Sequence, residues 1–189
     1  MEDPRHQKSF VFDNATVHLN SVLMSCLKYI DEKKEVLPVP VAIHPRIKWT
    51  ITELLLNGTK HAGTSESNLI LKLSEKNLVI QKEDSGNPLR LKVRRPAEEL
   101  LWPIRNSLLQ QEFEIYHNGN DSLRVYTESN DTAIFRVTEL DEFEMSQMLV
   151  NTAEHFGLMI ITKSSDHFSY LYDRPTKRNI FTVAFEYSE

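Results

Sequence analysis

Glu53-Leu-Leu-Leu-Asn57-Gly-Thr-Lys60-His61 is the stretch whose reading decides the rest of this chain. On a helix, Glu53, Asn57 and His61 fall at i, i+4 and i+8 and share one face, with Lys60 beside them. Ile47, Ile51, Leu54, Leu55 and Ala62 make the adjoining apolar stripe. His44-Pro45 marks the helix start, since proline suits a first turn whose N–H groups have no helical partner. A polar row bordering a core-facing stripe needs partners, because an unpaired buried amide or carboxylate costs about 1–3 kcal/mol. Two answers stand open: an internal hydrogen-bond network, or a ligand with a metal ion. A solvated or locally capped surface gives the same spacing.

The residues downstream narrow the choice. After a loop from Gly63 to Ser67, Asn68–Leu73 and Asn77–Lys82 both carry strand character, with Leu69, Leu71 and Leu73 alternating against Ile70 and Lys72. The Glu75-Lys76 turn joins them, and Glu83-Asp84-Ser85-Gly86-Asn87 follows the second strand. Helix, hairpin and then Asp-x-Gly at a strand end is more specific than either motif alone.

In these residues the chain resembles the histidine-kinase-like ATPase superfamily. Glu53-Leu-Leu-Leu-Asn57-Gly-Thr-Lys60-His61 looks like its N-box, Glu-x-x-x-Asn-x-x-Lys-His, and Asp84-Ser-Gly86 like its first glycine box. The likeness covers Arg46 to about Leu91 and resumes from Asn151 to Glu186. There Thr152–Phe156 is expected to end a helix, Gly157–Ile161 to start a strand, and Asn179–Phe185 to be the family's last strand.

What the resemblance implies is ATP with Mg2+. Asn57 would give its side-chain oxygen to Mg2+, a hard cation that takes oxygen ligands. Glu53 would position or activate the attacking water or hydroxyl as the catalytic residue. Lys60 or His61 would face the phosphates. Asp84, acceptor-only as a carboxylate, would take a hydrogen bond from the adenine amine, and Gly86 would let the backbone pass close to the base. Asn179 stands where the family commonly has Thr near adenine.

The sequence also departs from the pattern. Pro88 replaces the second glycine of the box, and no Gly-x-Gly occurs among the five glycines, so the Gly-rich triphosphate lid has no counterpart. The helix expected after the lid, roughly Leu140–Phe156, opens with Glu139, Asp141, Glu142 and Glu144. These suit a helix N-terminus but oppose a phosphate, at about 2 kcal/mol per like-charge pair about 8 Å apart at an effective dielectric of about 20.

Elsewhere, Ser9–Phe12 reads as a short strand and Asp13 or Asn14 as the cap of a helix reaching Lys34. Arg90–Arg95 alternates like an edge strand, and Pro96 is expected to open a helix to Gln111, kinked at Pro103. Phe113–His117, Leu123–Thr127 and Ala133–Val137 read as three strands. The segment of about residues 95–139, where relatives keep a short mobile lid, is therefore expected to be a structured insert. It could close over a nucleotide or fill the pocket. His18 as a phospho-acceptor is the weaker alternative to a surface histidine, and Met145, Met148 and Leu149 read as core.

Composition bounds the function. The 189 residues suit one domain, and a net charge of −5 argues against nucleic-acid binding, which needs a basic face. Met1–His6 has no apolar core, so no signal peptide is expected, and no run approaches a membrane span. The single Cys26 sits among Leu23, Leu27 and Ile30 as a buried small residue and fits a reducing, cytoplasmic setting. The expectation is an α/β (α+β) two-layer sandwich, with a mixed sheet and helices on one face. Its expected role is an adenine-nucleotide-binding signalling protein, with kinase or ATPase activity left open, and with a protein partner. The alternative is a degenerate, nucleotide-free interaction or phosphotransfer module.

Overall fold

Alternation along Leu69, Leu71, Leu73 and along Leu78, Ile80, Lys82 puts every second side chain on one face of a hairpin, and both strands form as that pattern requires. A computed structural model describes residues 5–15, 18–94, 98–118, 120–139 and 155–187. Those residues form an α+β fold with an eight-stranded antiparallel sheet and three helices. In chain order the elements are β1 (His6–Asp13), α1 (Leu19–Lys33), α2 (His44–His61), β2 (Glu66–Leu73), β3 (Asn77–Asp84), β4 (Arg90–Lys92) and β5 (Glu99–Leu101). After them come β6 (Glu112–His117), β7 (Asp121–Thr127), β8 (Thr132–Glu139), α3 (Phe156–Ser164), β9 (His167–Asp173) and β10 (Arg178–Glu186). The sheet order is β1-β2-β3-β10-β9-β8-β7-β6, with β4-β5 a separate pair.

The sheet is antiparallel at every pairing, where a mixed sheet was expected. The reason lies in the connections: β6, β7 and β8 follow one another as hairpins and join the sheet through β9, so none needs the crossover a parallel neighbour demands. Register sets the faces. Asp84 pairs with Asn179, Lys82 with Phe181 and Ile80 with Val183 across β3–β10, and Phe181 pairs with Tyr170 across β10–β9. Lys82, Asp84, Asn179, Phe181 and Tyr170 therefore share one face.

α2 packs against α1 and α3 and touches β3. Its stripe of Ile47, Ile51, Leu54 and Leu55 is buried in a cluster continuous with Trp102, Ile104, Phe113, Val125 and Phe135 of the later segment. Cys26 is fully buried among these groups, and burial pushes its thiol up to about 12. Among the described residues no helix is long and apolar enough to cross a membrane.

Two helix expectations are corrected. Residues 98–111 hold β5 and one short 3-10 turn, Asn106–Leu108, instead of a helix from Pro96 to Gln111. The buried residues there are Leu100, Trp102 and Ile104, a period of two, with exposed Leu101 and Pro103 between them. Gly157–Ile161 belongs to α3 rather than to a strand, since an unbroken apolar run carries no periodicity to separate the two. β9 follows it, with Phe168 and Tyr170 buried. Of the expected helix Leu140–Phe156, residues 140–154 lie outside the described residues, as do Arg95 and the methionines at 145 and 148.

Candidate functional site

α2 forms where the spacing predicts, with Pro45 in its first turn. Gly63, at φ +65°, ends it in the left-handed conformation usual just past a helix C-terminus. Its row of Glu53, Asn57, Lys60 and His61 is thereby fixed, the first two half-buried and the last two exposed. The start of α3 comes directly against this row. An added Cβ on Gly157 would stand 2.6 Å from Glu53 Oε2 and 3.4 Å from Asn57 Oδ1, so the two side-chain oxygens converge on one backbone position. Burial pushes the Glu53 carboxyl up, and the Lys60 ammonium partly offsets this. His155, at φ +68°, precedes α3, and Lys92 N–H donates to its Nε2 at 3.4 Å, tying β4 to the same place.

The glycine box is a second, closed cluster. Asp84 Oδ2 accepts from Lys82 Nζ at 2.6 Å, with both side chains only 2% exposed. Asp84 Oδ1 accepts from Gly86 N–H at 3.0 Å and from Asn179 Nδ2 at 2.8 Å. Asn179 Nδ2 also lies within 3.2 Å of the Gly86 carbonyl and 3.1 Å of the Asn87 carbonyl, and its Oδ1 accepts from Tyr170 Oη at 2.7 Å. Tyr170 Oη in turn accepts from Leu89 N–H at 3.1 Å. Burial raises the Tyr170 phenol well above its ordinary range, so it stays a neutral donor. Trp102 meets the Tyr170 ring edge-on, centroids 5.8 Å apart.

Gly86 is required here, because a Cβ on it would fall 1.4 Å from the Ala62 carbonyl oxygen at the end of α2. Asn87 N–H donates to that same carbonyl at 3.2 Å. The close approach expected of Gly86 is thus made to the chain's own backbone.

Gly58 connects the two clusters. Glycine inside a helix costs about 1 kcal/mol relative to alanine, yet a Cβ at Gly58 would stand 3.2 Å from Lys82 Cε and 3.0 Å from Asn14 Oδ1. The end of the Lys82 stem packs against the bare backbone beside Asn57. Lys82 Nζ also sits 5.4 Å from the Phe181 ring centroid, within cation–π range.

The fold thus brings Glu53 and Asn57 to the start of α3, with the Lys60 charge acting on Glu53, and Asp84, Gly86 and Asn179 into one hydrogen-bonded cluster. Sequence reasoning missed Lys82, Tyr170 and Gly157. Lys82 left a signal: Leu78, Ile80, Lys82 and Asp84 at every second position put an ammonium on a buried strand face two residues from a carboxylate. Gly157, just before an apolar run, left only its position. Among the described residues no group of three or more His, Cys, Asp or Glu could hold a metal ion by itself. Any cation at Glu53 and Asn57 would need oxygens from its ligand, which is how Mg2+ is commonly held, by one or two carboxylates plus phosphates. No protein-family model matches this chain, and no curated protein matches it.

Proposed function

We propose that this chain is an adenine-nucleotide-binding signalling protein, a stand-alone relative of the histidine-kinase-like ATPases. In this reading the helices cover one face of the sheet as a two-layer sandwich, and the segment of residues 95–139 is a structured insert in place of a Gly-rich lid. The observation that carries it is the convergence of Glu53 and Asn57 on Gly157 at the start of α3. A helix N-terminus with its free N–H groups favours anions, and an amide oxygen beside a carboxylate favours a hard cation. Phosphates with Mg2+ combine the two needs. Asn57 would hold the cation, and Lys60 and His61, exposed on the same helix, would meet the outer phosphates. Glu53, its carboxyl pushed up by burial, is suited to orient and deprotonate an attacking water or hydroxyl.

Calorimetric titration of a non-hydrolysable ATP analogue with Mg2+ tests this reading, with Asn57→Ala as the control. Binding that needs Mg2+ and is lost in Asn57→Ala is expected. No heat even at millimolar nucleotide overturns it. A specific observation favours a second reading, a nucleotide-free interaction module: the acceptor expected for adenine, Asp84, is held inside the protein by Lys82 and Asn179. Absence of binding in that titration is the outcome this reading requires.

A further inference from the structure

Buried ion pairs need a reason. Replacing one by apolar residues of similar size is often neutral or stabilising, because desolvation offsets the attraction. Lys82–Asp84 is such a pair, on the face that also carries Phe181, Tyr170 and Asn179. Around its ammonium stand a carboxylate oxygen at 2.6 Å and an aromatic ring centroid at 5.4 Å. A carboxylate acceptor and a ring to lie against are also what an amino-substituted heteroaromatic base requires. A Cβ at Gly58 would crowd the end of the Lys82 stem at 3.2 Å, so glycine gives that stem its room, although alanine there would favour the helix.

We propose that Lys82 is a resident competitor for the base of the ligand: its ammonium holds Asp84 until an adenine amine takes its place. This rests on the nucleotide reading above and adds that base recognition is gated by the chain's own lysine. Neither charge need be created or lost in the exchange. Asp84 passes from one hydrogen-bond donor to another, and the flexible stem lets the ammonium move. The phosphate contacts at Glu53, Asn57 and α3 do not involve Lys82, so a ligand without a base has nothing to displace.

The experiment follows the Lys82 ammonium resonance in the wild-type protein by nitrogen-15 NMR, correlated to its own side-chain carbons, beside calorimetry on the same sample. Saturation with the ATP analogue and Mg2+ is expected to shift or broaden the signal, whereas inorganic tripolyphosphate with Mg2+ leaves it in place. Lys82→Met, at a pH well above the carboxylate range, is expected to tighten the ATP analogue about ten- to a hundredfold, the factor one charge-assisted hydrogen bond represents. Tripolyphosphate affinity is expected to stay constant. An unmoved Lys82 signal while calorimetry shows the analogue bound overturns the competitor and leaves the nucleotide reading standing. Unchanged analogue affinity in a folded Lys82→Met does the same. If neither ligand binds either protein, the nucleotide reading falls and the competitor with it. The wild-type measurement decides the matter even if the variant does not fold.

Discussion

Gly157, the second residue of α3, faces Glu53 on α2 so closely that a methyl group added to it would lie 2.6 Å from the carboxylate oxygen. That oxygen is the far end of a flexible side chain, so the contact can yield by rotation. Stability and the proposed ligand site are therefore expected to respond differently to the same added carbon.

Gly157→Ala is expected to leave the melting temperature nearly unchanged, because alanine favours the helix by up to about 1 kcal/mol and Glu53 can turn aside. Mg2+-dependent nucleotide affinity is expected to fall severalfold as Glu53 and Asn57 lose their common position. Calorimetry beside a thermal melt checks both halves. A large loss of stability with intact binding would mean that Glu53 is a packing residue.

Glu53→Gln tests the same carboxylate by pH. Burial raises its folded pKa above the unfolded value, so the ionised form is disfavoured in the fold. The resulting penalty is absent below the unfolded value of about 4.3, grows as pH rises through the folded value, and is complete above it. The variant is therefore expected to be more stable than wild type at neutral pH and equal to it at acid pH, while any turnover is lost. Melting curves across that range measure the difference. A destabilised variant at neutral pH would sink the assignment of Glu53 as a strained, functional group.

Asp84→Asn has a different expected cost from an exposed ligand contact. The substitution leaves the Lys82 ammonium buried with a neutral partner, and breaking a buried pair in this way costs about 3–5 kcal/mol. The double variant Lys82→Met/Asp84→Leu is expected to recover most of that loss. Urea unfolding of wild type, Asp84→Asn and the double variant gives the comparison, and a double variant no more stable than Asp84→Asn would show that the two side chains do not depend on each other.

Gly86→Ala meets backbone rather than a side-chain end. With a Cβ placed 1.4 Å from the Ala62 carbonyl oxygen, the loop or the end of α2 must shift. The Asn87 N–H bond to that oxygen and the Asn179 contacts to the loop carbonyls are then lost together. A destabilisation of about 2 kcal/mol or more is expected from these broken, partly buried hydrogen bonds, measured as a lowered urea midpoint with unchanged slope.

Much of this was legible in the residues. The i, i+4 spacing of Glu53 and Asn57 gave α2 its polar row, and Pro45 and Gly63 bracket the helix as capping chemistry requires. Strand patterning located β2, β3 and the three strands β6 to β8, and the family resemblance located β10. Partner choice was only half legible: alternation puts Lys82 on the same strand face as Asp84, but whether the carboxylate meets that lysine or a ligand depends on register and on the close packing at Gly58. The α3 helix was missed since Gly157-Leu-Met-Ile-Ile161 lacks periodicity, and the strand Glu99–Leu101, with the alternating burial that continues through Trp102 and Ile104, was hidden by the expectation that Pro96 opens a helix.

Residues 98–139 are expected to unfold with the rest of the chain rather than separately. Their strands are hydrogen-bonded into the main sheet through β8–β9, where Phe135 stacks on Phe168 at 4.4 Å between centroids. The Ile104 N–H bond to the Asn130 carbonyl and the Arg94 N–H bond to the Glu114 carbonyl tie β4 and β5 to them. Trp102 is 1% exposed in the shared core, while the other tryptophan, Trp49, is 58% exposed on α2. Trp49→Phe leaves Trp102 as the single fluorescence reporter of this segment. Its urea transition is expected to coincide with that of the far-ultraviolet circular dichroism, as a single cooperative unit requires. It is also expected to keep the same midpoint relative to the dichroism when nucleotide is added. A Trp102 transition at clearly lower urea, moved upward by the ATP analogue, would identify the segment as a ligand-ordered cover instead of part of the scaffold.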